Sequence, residues 1–384
     1  MSLFCQKDLF QLEPGVHYLN GAYMSPQLKS VESAGILGIQ RKNNPQSITQ
    51  EDFFVSTENI KRKFGSLINA LPERVAIIPS VSYGMANAVQ NLPLNNGNEA
   101  IIIGEEFPSD YYALTDWCKS HGKSLKTIPM PDNPENRASE WNTQILDSIT
   151  ENTAAIVISS IHWANGIIFD LKAIGKRCRE TDTRFLVDGT QSVAAMNIDV
   201  EDCGIDALVC AGYKWLLGPY SLGVAFYGPA FDNGHPIEQS WMNRINAREF
   251  SGLTAYTDSY LPYSARYNVG EFSNFVLCPM LDTSLTQILA WGVNNIQDYS
   301  KELSWPLISF LQNNGFIVEK EGQRASHMFG IQLPPYVDPM QLMQTLRSEN
   351  IIVSVRNGAL RISLHVYNTV EDVEALVRVM QREI

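Results

Sequence analysis

The sequence predicts an α/β fold, a mainly parallel seven-stranded sheet covered by helices, with a smaller α+β domain at its C-terminal end. Three features carry this expectation. Seven short, nearly uninterrupted apolar runs recur between turn signals before Gly228. Helix-like segments lie between most of them. Beyond about Thr283 the rhythm changes to two long helical patterns followed by short strand candidates.

The seven runs are Val75–Pro79, Ala100–Gly104, Ser124–Ile128, Ala154–Ser159, Arg184–Val187, Ala207–Ala211 and Gly223–Tyr227. Strands apolar on both faces suit a parallel sheet buried between two helical layers. Asp110–His121 and Leu171–Thr181 are examples of the intervening helices. A short connection joins the last two strands, which suits a local reversal, so one of them is expected to run antiparallel. The stretch from Phe231 to Asn274 is rich in Asn, Tyr, Ser and Gly and has no clean period, as long functional loops often do.

Further helices are expected over Thr283–Asn295 and Lys301–Asn313, then strands at Phe316–Glu319, His327–Leu333, Ile351–Val355 and Leu360–Leu364. The last helix has Asn368 or Thr369 as cap, Glu371 and Asp372 in its first turn, and an apolar stripe of Val370, Val373, Leu376, Val377 and Met380. The expected division is an N-terminal arm over residues 1–30, a large domain over 31–282 and a small domain over 283–384.

The chain has 384 residues, enough to bury a substantial core without disulfide staples. A net charge of −12 argues against nucleic acid or an anionic membrane as the main partner. The first ten residues carry Lys7 and Asp8 and lack the apolar core of a secretory signal, and no apolar stretch reaches membrane length. The six cysteines are scattered, with no C-x-x-C pair, which reads as reduced thiols and not as a disulfide framework or a metal site. A cytoplasmic protein is the expectation.

The chemistry concentrates between Phe185 and Gly223. Asp188 follows one apolar strand and Lys214 follows the next. In open α/β sheets ligands sit at the carboxyl ends of strands, so an acid and an amine there can converge on one ligand. Pyridoxal 5′-phosphate (PLP) suits such a pair. A lysine with a depressed pKa condenses with the aldehyde, and a carboxylate keeps the pyridine nitrogen protonated. Tyr213, Trp215, Leu216 and Leu217 surround Lys214 in sequence, which is poor company for a solvated lysine.

At these residues the sequence resembles the class V aminotransferase family of fold-type I PLP enzymes, which includes cysteine desulfurases, kynureninases and isopenicillin N epimerase-like proteins. The resemblance spans nearly the whole chain. It is anchored by YLNGAYMSP at Tyr18–Pro26, PSVSYGMANAV at Pro79–Val89, GEEFPSD at Gly104–Asp110, DGTQS at Asp188–Ser192, AGYK at Ala211–Lys214 and RNGALRISLHVYNTVEDV at Arg356–Val373.

The resemblance implies that Lys214 holds PLP as a Schiff base and that Asp188 pairs with the ring nitrogen. Ser82 and Tyr83 match the turn that cradles the phosphate at a helix N-terminus. Phe107 matches the position whose ring stacks on the pyridine, usually histidine in desulfurases. Gln191 matches the partner of the phenolic oxygen. Tyr213 stands where desulfurases carry histidine and looks more like kynureninases. Arg361 matches the arginine that grips the substrate carboxylate, with Arg356 as a second candidate and Asn20 of the N-terminal motif as a further substrate contact. Trp241, Ser273 and Asn274 match residues that complete the phosphate site from a partner chain, which implies a homodimer with shared active sites.

Two departures stand out. Only four residues separate Arg356 from Arg361, where desulfurases carry a longer loop with a catalytic cysteine, and no cysteine follows Cys278. The segment IHWANG at Ile161–Gly166 departs from the usual pattern, and His162, Trp163 and Asn165 are all candidates to line the cofactor. The function this implies is conversion of an amino acid, transamination first, with kynureninase-like cleavage, cysteine or selenocysteine lyase chemistry and epimerisation as alternatives on the same fold. A nicotinamide-dependent oxidoreductase would need G-x-G-x-x-G after the first strand, and the sequence has none.

Overall fold

The computed structural model describes residues 3–94 and 96–383. The N-terminal segment contributes β1 (His17–Tyr18), and the seven apolar runs form β2 (Val75–Ile78), β3 (Glu99–Ile103), β4 (Ser124–Ile128), β5 (Thr153–Ser159), β6 (Arg184–Asp188), β7 (Ala207–Ala211) and β8 (Gly223–Tyr227). They make one sheet in the order β2-β8-β7-β6-β5-β3-β4. Only β8 runs against its neighbours: it pairs antiparallel with both β2 and β7. The expected reversal is thus β8.

The helices of this part are α1 (Lys29–Arg41), α2 (Val55–Ile68), α3 (Val81–Gln90), α4 (Pro108–Ser120), α5 (Arg137–Ser148), α6 (Leu171–Glu180) and the single turn α7 (Val200–Cys203). Side chains alternate across the sheet with a period of two. Ile101, Ile103, Ile156, Ile158, Phe185 and Val187 point into one buried layer, while Ala100, Ile102, Ala155, Val157 and Leu186 point into the other. Both layers exclude water, which is why the inner strands carry almost no polar residue, whereas the edge strand β4 is partly exposed and carries Ser124, Lys126 and Thr127.

The C-terminal part differs from expectation in three places. The expected helices over 283–295 and 301–313 are in fact α8 (Leu277–Trp291) and α9 (Val293–Asn313), broken at Gly292, whose φ of +80° a residue with a side chain adopts only under strain. α8 spans the expected boundary at 282/283 and packs on α1 and α2. Phe316–Glu319 forms no strand; Ile317 makes a single bridge to Gln332. The expected strand over 351–355 is two elements. β9 (Met328–Ile331) and α10 (Pro339–Ser348) precede them, then come β10 (Ile351–Ile352), β11 (Ser354–Arg356) and β12 (Ala359–Ser363). β10 pairs in parallel with β1, and β11 and β12 form a hairpin beside β9. The hairpin turn places Asn357 and Gly358 at φ 47° and 79°, the left-handed pair that lets two strands reverse in two residues. α11 (Val370–Arg382) begins with a full capping box between Thr369 and Asp372.

Candidate active site

Every strand that runs parallel to β7 ends on the same edge of the sheet, and their loops enclose a cleft of about 330 Å³. β2 feeds Ser80, Val81 and Ser82 into it, β3 feeds Phe107, β5 ends there at Ser159, β6 at Asp188 and β7 leads to Tyr213 and Lys214. Tyr220 to Leu222, which enter β8, close one side. Asp188, Lys214, Phe107, Ser82, Gln191 and Tyr213 are therefore gathered in one place, as expected. Of the open trio, Trp163 lines the cleft. His162 is buried, its Nε2 3.1 Å from the Glu105 carbonyl and its pKa pushed down to about 4 by burial. Asn165 faces a neighbouring cavity.

The floor of the cleft is a set of ionisable groups out of water. Burial lowers the Lys214 amine to about 8, with Arg361 and Arg356 pushing the same way and Asp188 opposing. A lysine so tuned presents an appreciable fraction of free amine near neutral pH. Its Nζ lies 5.7 Å from the centroids of both Phe107 and Tyr213. Asp188 accepts the Thr190 N–H at 2.8 Å, and burial raises its pKa.

Two more acids lie beneath this pair, and the sequence reading missed both. Glu106 accepts the main-chain N–H groups of Phe107 and Ser159, each at 2.7 Å, and the Ser159 hydroxyl. Burial lifts it to about 7. Asp110, in the first turn of α4, is fully buried, lies within hydrogen-bonding reach of Asp188, and has no donor on either carboxylate oxygen. Burial, then the charges of Asp188 and Glu106, raise its pKa well above the carboxylate range. Lys214 acts on both acids, but only Asp188 keeps a donor, so Asp110 is the one that favours the proton and Asp188 the charge. Both lie in the motif GEEFPSD, where three acids surround one aromatic and nothing in the pattern marks which of them turn inward.

Other expected residues sit elsewhere. Tyr83 is turned away: its N–H goes to the Ser80 cap and its hydroxyl to Glu238 at 2.9 Å. Gln191 lines the cleft, yet its Oε1 accepts the Trp215 indole N–H at 2.8 Å and its Nε2 donates to the Ala22 carbonyl at 3.2 Å. Arg361 is buried beside the cleft, donating to the Trp163 carbonyl at 2.7 Å and to Ser354 Oγ at 3.3 Å. Asn20 is buried with an unpartnered Oδ1. Trp241, Ser273 and Asn274 do not line the cleft of their own chain. Trp241 is partly exposed and edges onto Phe250, and Asn274 Oδ1 caps the start of α8.

The fit to PLP can be tested on these observations. An amine and a buried carboxylate face one cleft beneath an aromatic ring, and α3 opens onto it with Ser80 and Ser82 at its start. Lys214 and Asp188 have the chemistry the aldehyde and the pyridine nitrogen need, and a helix N-terminus with hydroxyls suits a phosphate. The residues fit the group.

Comparison with known proteins agrees. The family model described as aminotransferase class-V matches residues 40–376. An uncharacterized aminotransferase of Bacillus subtilis, YcbU, is 25% identical, over 82% of this chain and 80% of its own. Isopenicillin N epimerase of Streptomyces clavuligerus is 22% identical, over 82% and 81%. Kynureninase of Shouchella clausii is 20% identical, over 92% and 82%. Among solved structures, a cysteine desulfurase from Thermococcus onnurineus superposes with a TM-score of 0.83 at 18% identity, covering 99% of this chain and 98% of that one. Among the described residues no helix is long and apolar enough to cross a membrane. With the matching model spanning most of the sheet and the C-terminal elements, the chain belongs to the class V aminotransferase family.

Proposed function

We propose that this protein is a PLP-dependent aminotransferase of the class V type, with Lys214 as the covalent attachment point of the cofactor. The observation that carries the reading is the meeting of Lys214 and Asp188, from adjacent strand ends, under Phe107 in one cleft. When bound, PLP supplies an aldehyde that condenses with amines and a protonated ring that accepts electron density from the substrate's Cα. Asp188 holds the proton on the ring nitrogen, and the neutral Asp110 supports that anion. The start of α3, with Ser80 and Ser82, receives the phosphate. Phe107 orients the ring by stacking. Arg361 binds the amino acid's carboxylate through the donors left free by Trp163 and Ser354, and Lys214 Nζ takes and returns the Cα proton. Trp241, Ser273 and Asn274 reach the phosphate of the other subunit in a homodimer.

Sulfur transfer through a protein thiol is disfavoured, because among the described residues no cysteine lines the cleft. Cys210, just behind it, is held protonated by burial. The test of the central claim is Lys214→Ala. The purified wild type mixed with PLP should acquire a visible absorption band that borohydride fixes to Lys214, seen by peptide mass. The variant should lose the adduct and lose turnover of amino acids by about 10³-fold or more. An adduct on another lysine, or full turnover by the variant, contradicts the assignment.

A further inference from the structure

Beside the Lys214 cleft lies a second cavity of about 320 Å³, whose lining includes Arg356, Asn357, Glu105, Asn165, Arg137 and Glu319. The two are neighbours: Trp163 faces the first, while Ala164 and Asn165 face the second. The Trp163 indole N–H, bonded to the Glu105 carbonyl at 2.8 Å, holds the wall between them.

Two acids and two arginines line this cavity, so its formal charges balance, but only one acid is paired with an arginine. Glu319 is engaged by the buried Arg137 at 3.4 Å, and Arg137 also donates to the Pro131 carbonyl. Glu105 is exposed, and its Oε2 accepts the Asn357 amide at 2.7 Å. Arg356 is half-buried, donates only to its neighbour's carbonyl, that of Val355, and has no carboxylate within 4.0 Å among the described residues. Its charge acts on both Lys214 and Arg361. Lys214 thus lines the first cavity and Arg356 the second, while Arg361 is buried beside them, bonded to the Trp163 carbonyl. In the reading above Lys214 is taken by the cofactor and Arg361 by the carboxylate that every amino acid has. Arg361 suits that constant group because it is buried and pinned at two points. Arg356, beside the turn of the β11–β12 hairpin, is left for a group that varies.

We propose that this cavity receives a second acid group on the substrate's side chain, with Arg356 as its cation and the Asn165 and Asn357 amides beside it. The inference rests on the proposed aminotransferase reading and narrows it to amino acids with an anionic side chain. A partly buried cation without a counter-ion is a standing electrostatic cost, and a ligand anion removes it only if it reaches that cavity.

The experiment compares each acid with its uncharged amide: kcat/KM for glutamate over glutamine and for aspartate over asparagine, in wild type, Arg356→Met and Arg356→Lys. Wild type should favour at least one acid by about ten- to hundredfold, the range of a charge-assisted pair. Arg356→Met should erase that ratio, and Arg356→Lys should retain part of it, which also shows that the hairpin tolerates substitution. Calorimetry without added PLP supplies the independent arm. 2-Oxoglutarate should bind wild type more tightly than 2-oxobutyrate, and Arg356→Met should lose the difference. A wild type with no preference for acids, or a ratio untouched by Arg356→Met, overturns the proposal. A wild type that takes up no PLP defeats the underlying reading instead, and the calorimetric arm then decides the acid site by itself.

Discussion

The floor of the cleft and its rim are built on different principles. The floor comes from the ends of β5, β6 and β7, where the register aligns Ser159 with Asp188 and Asp188 with Val209. Hydrogen bonds within one chain then fix Glu106, Ser159 and Thr190 around them. The rim candidates lie in the irregular stretch that ends at Asn274, and within their own chain they cap a helix or edge onto another ring. A floor set by sheet register belongs to the protomer. A rim set by loops acquires its task from whatever it meets.

The sharpest way to break that contrast is at the floor. Asp188→Asn should retain PLP and slow amino-acid turnover by about 10²- to 10³-fold, since the ring nitrogen loses its charged partner. Asp110→Asn should cost less, because the amide still offers a donor toward Asp188. Single-turnover rates check both, and equal losses would mean that Asp110 shares the charge. Next in size is Arg361→Lys, which should weaken amino-acid binding by about tenfold or more while leaving PLP affinity unchanged, because an ammonium cannot reproduce the planar fork. Titration of substrate and cofactor separately checks it. The smallest effect belongs to the rim. Lys214→Ala mixed with a Ser273→Ala, Asn274→Ala double variant should regain about a quarter of wild-type activity, since half of the dimers are mixed and each holds one intact site. No recovery after subunit exchange is verified would assign the rim residues to their own chain.

What was legible in the sequence follows the same line. Six of the seven strands were visible because both faces are buried and the runs are mostly apolar; β4, with Ser124, Lys126 and Thr127 on a partly exposed edge, was the weakest of them. Asp188 and Lys214 were visible because each interrupts that pattern at a strand end. Asp110 and Glu106 were not, because nothing in a linear pattern distinguishes an acid that turns inward from one that caps a helix. The Tyr83 side chain was misplaced by one helical step: Ser80 takes the cap, so Ser82 faces the cleft and Tyr83 rotates toward Glu238. The engagement of Gln191 with Trp215 and Ala22 was invisible for another reason, as it joins positions far apart in sequence.

The pairing of β1 with β10 has a consequence for synthesis. His17 and Tyr18 align with Ile351 and Ile352, the Leu19 N–H reaches the Ile352 carbonyl, and Asn368 Nδ2 donates to the Tyr18 carbonyl. His17 and Tyr18 therefore have no strand to pair with until Ile351 and Ile352 have been made. Loop closure over such a span is slow, and until it happens β1 stays unpaired beside a seven-stranded sheet that it does not join. Emergence of β10, and not completion of the seven-stranded sheet, is then the event that gives β1 its partner.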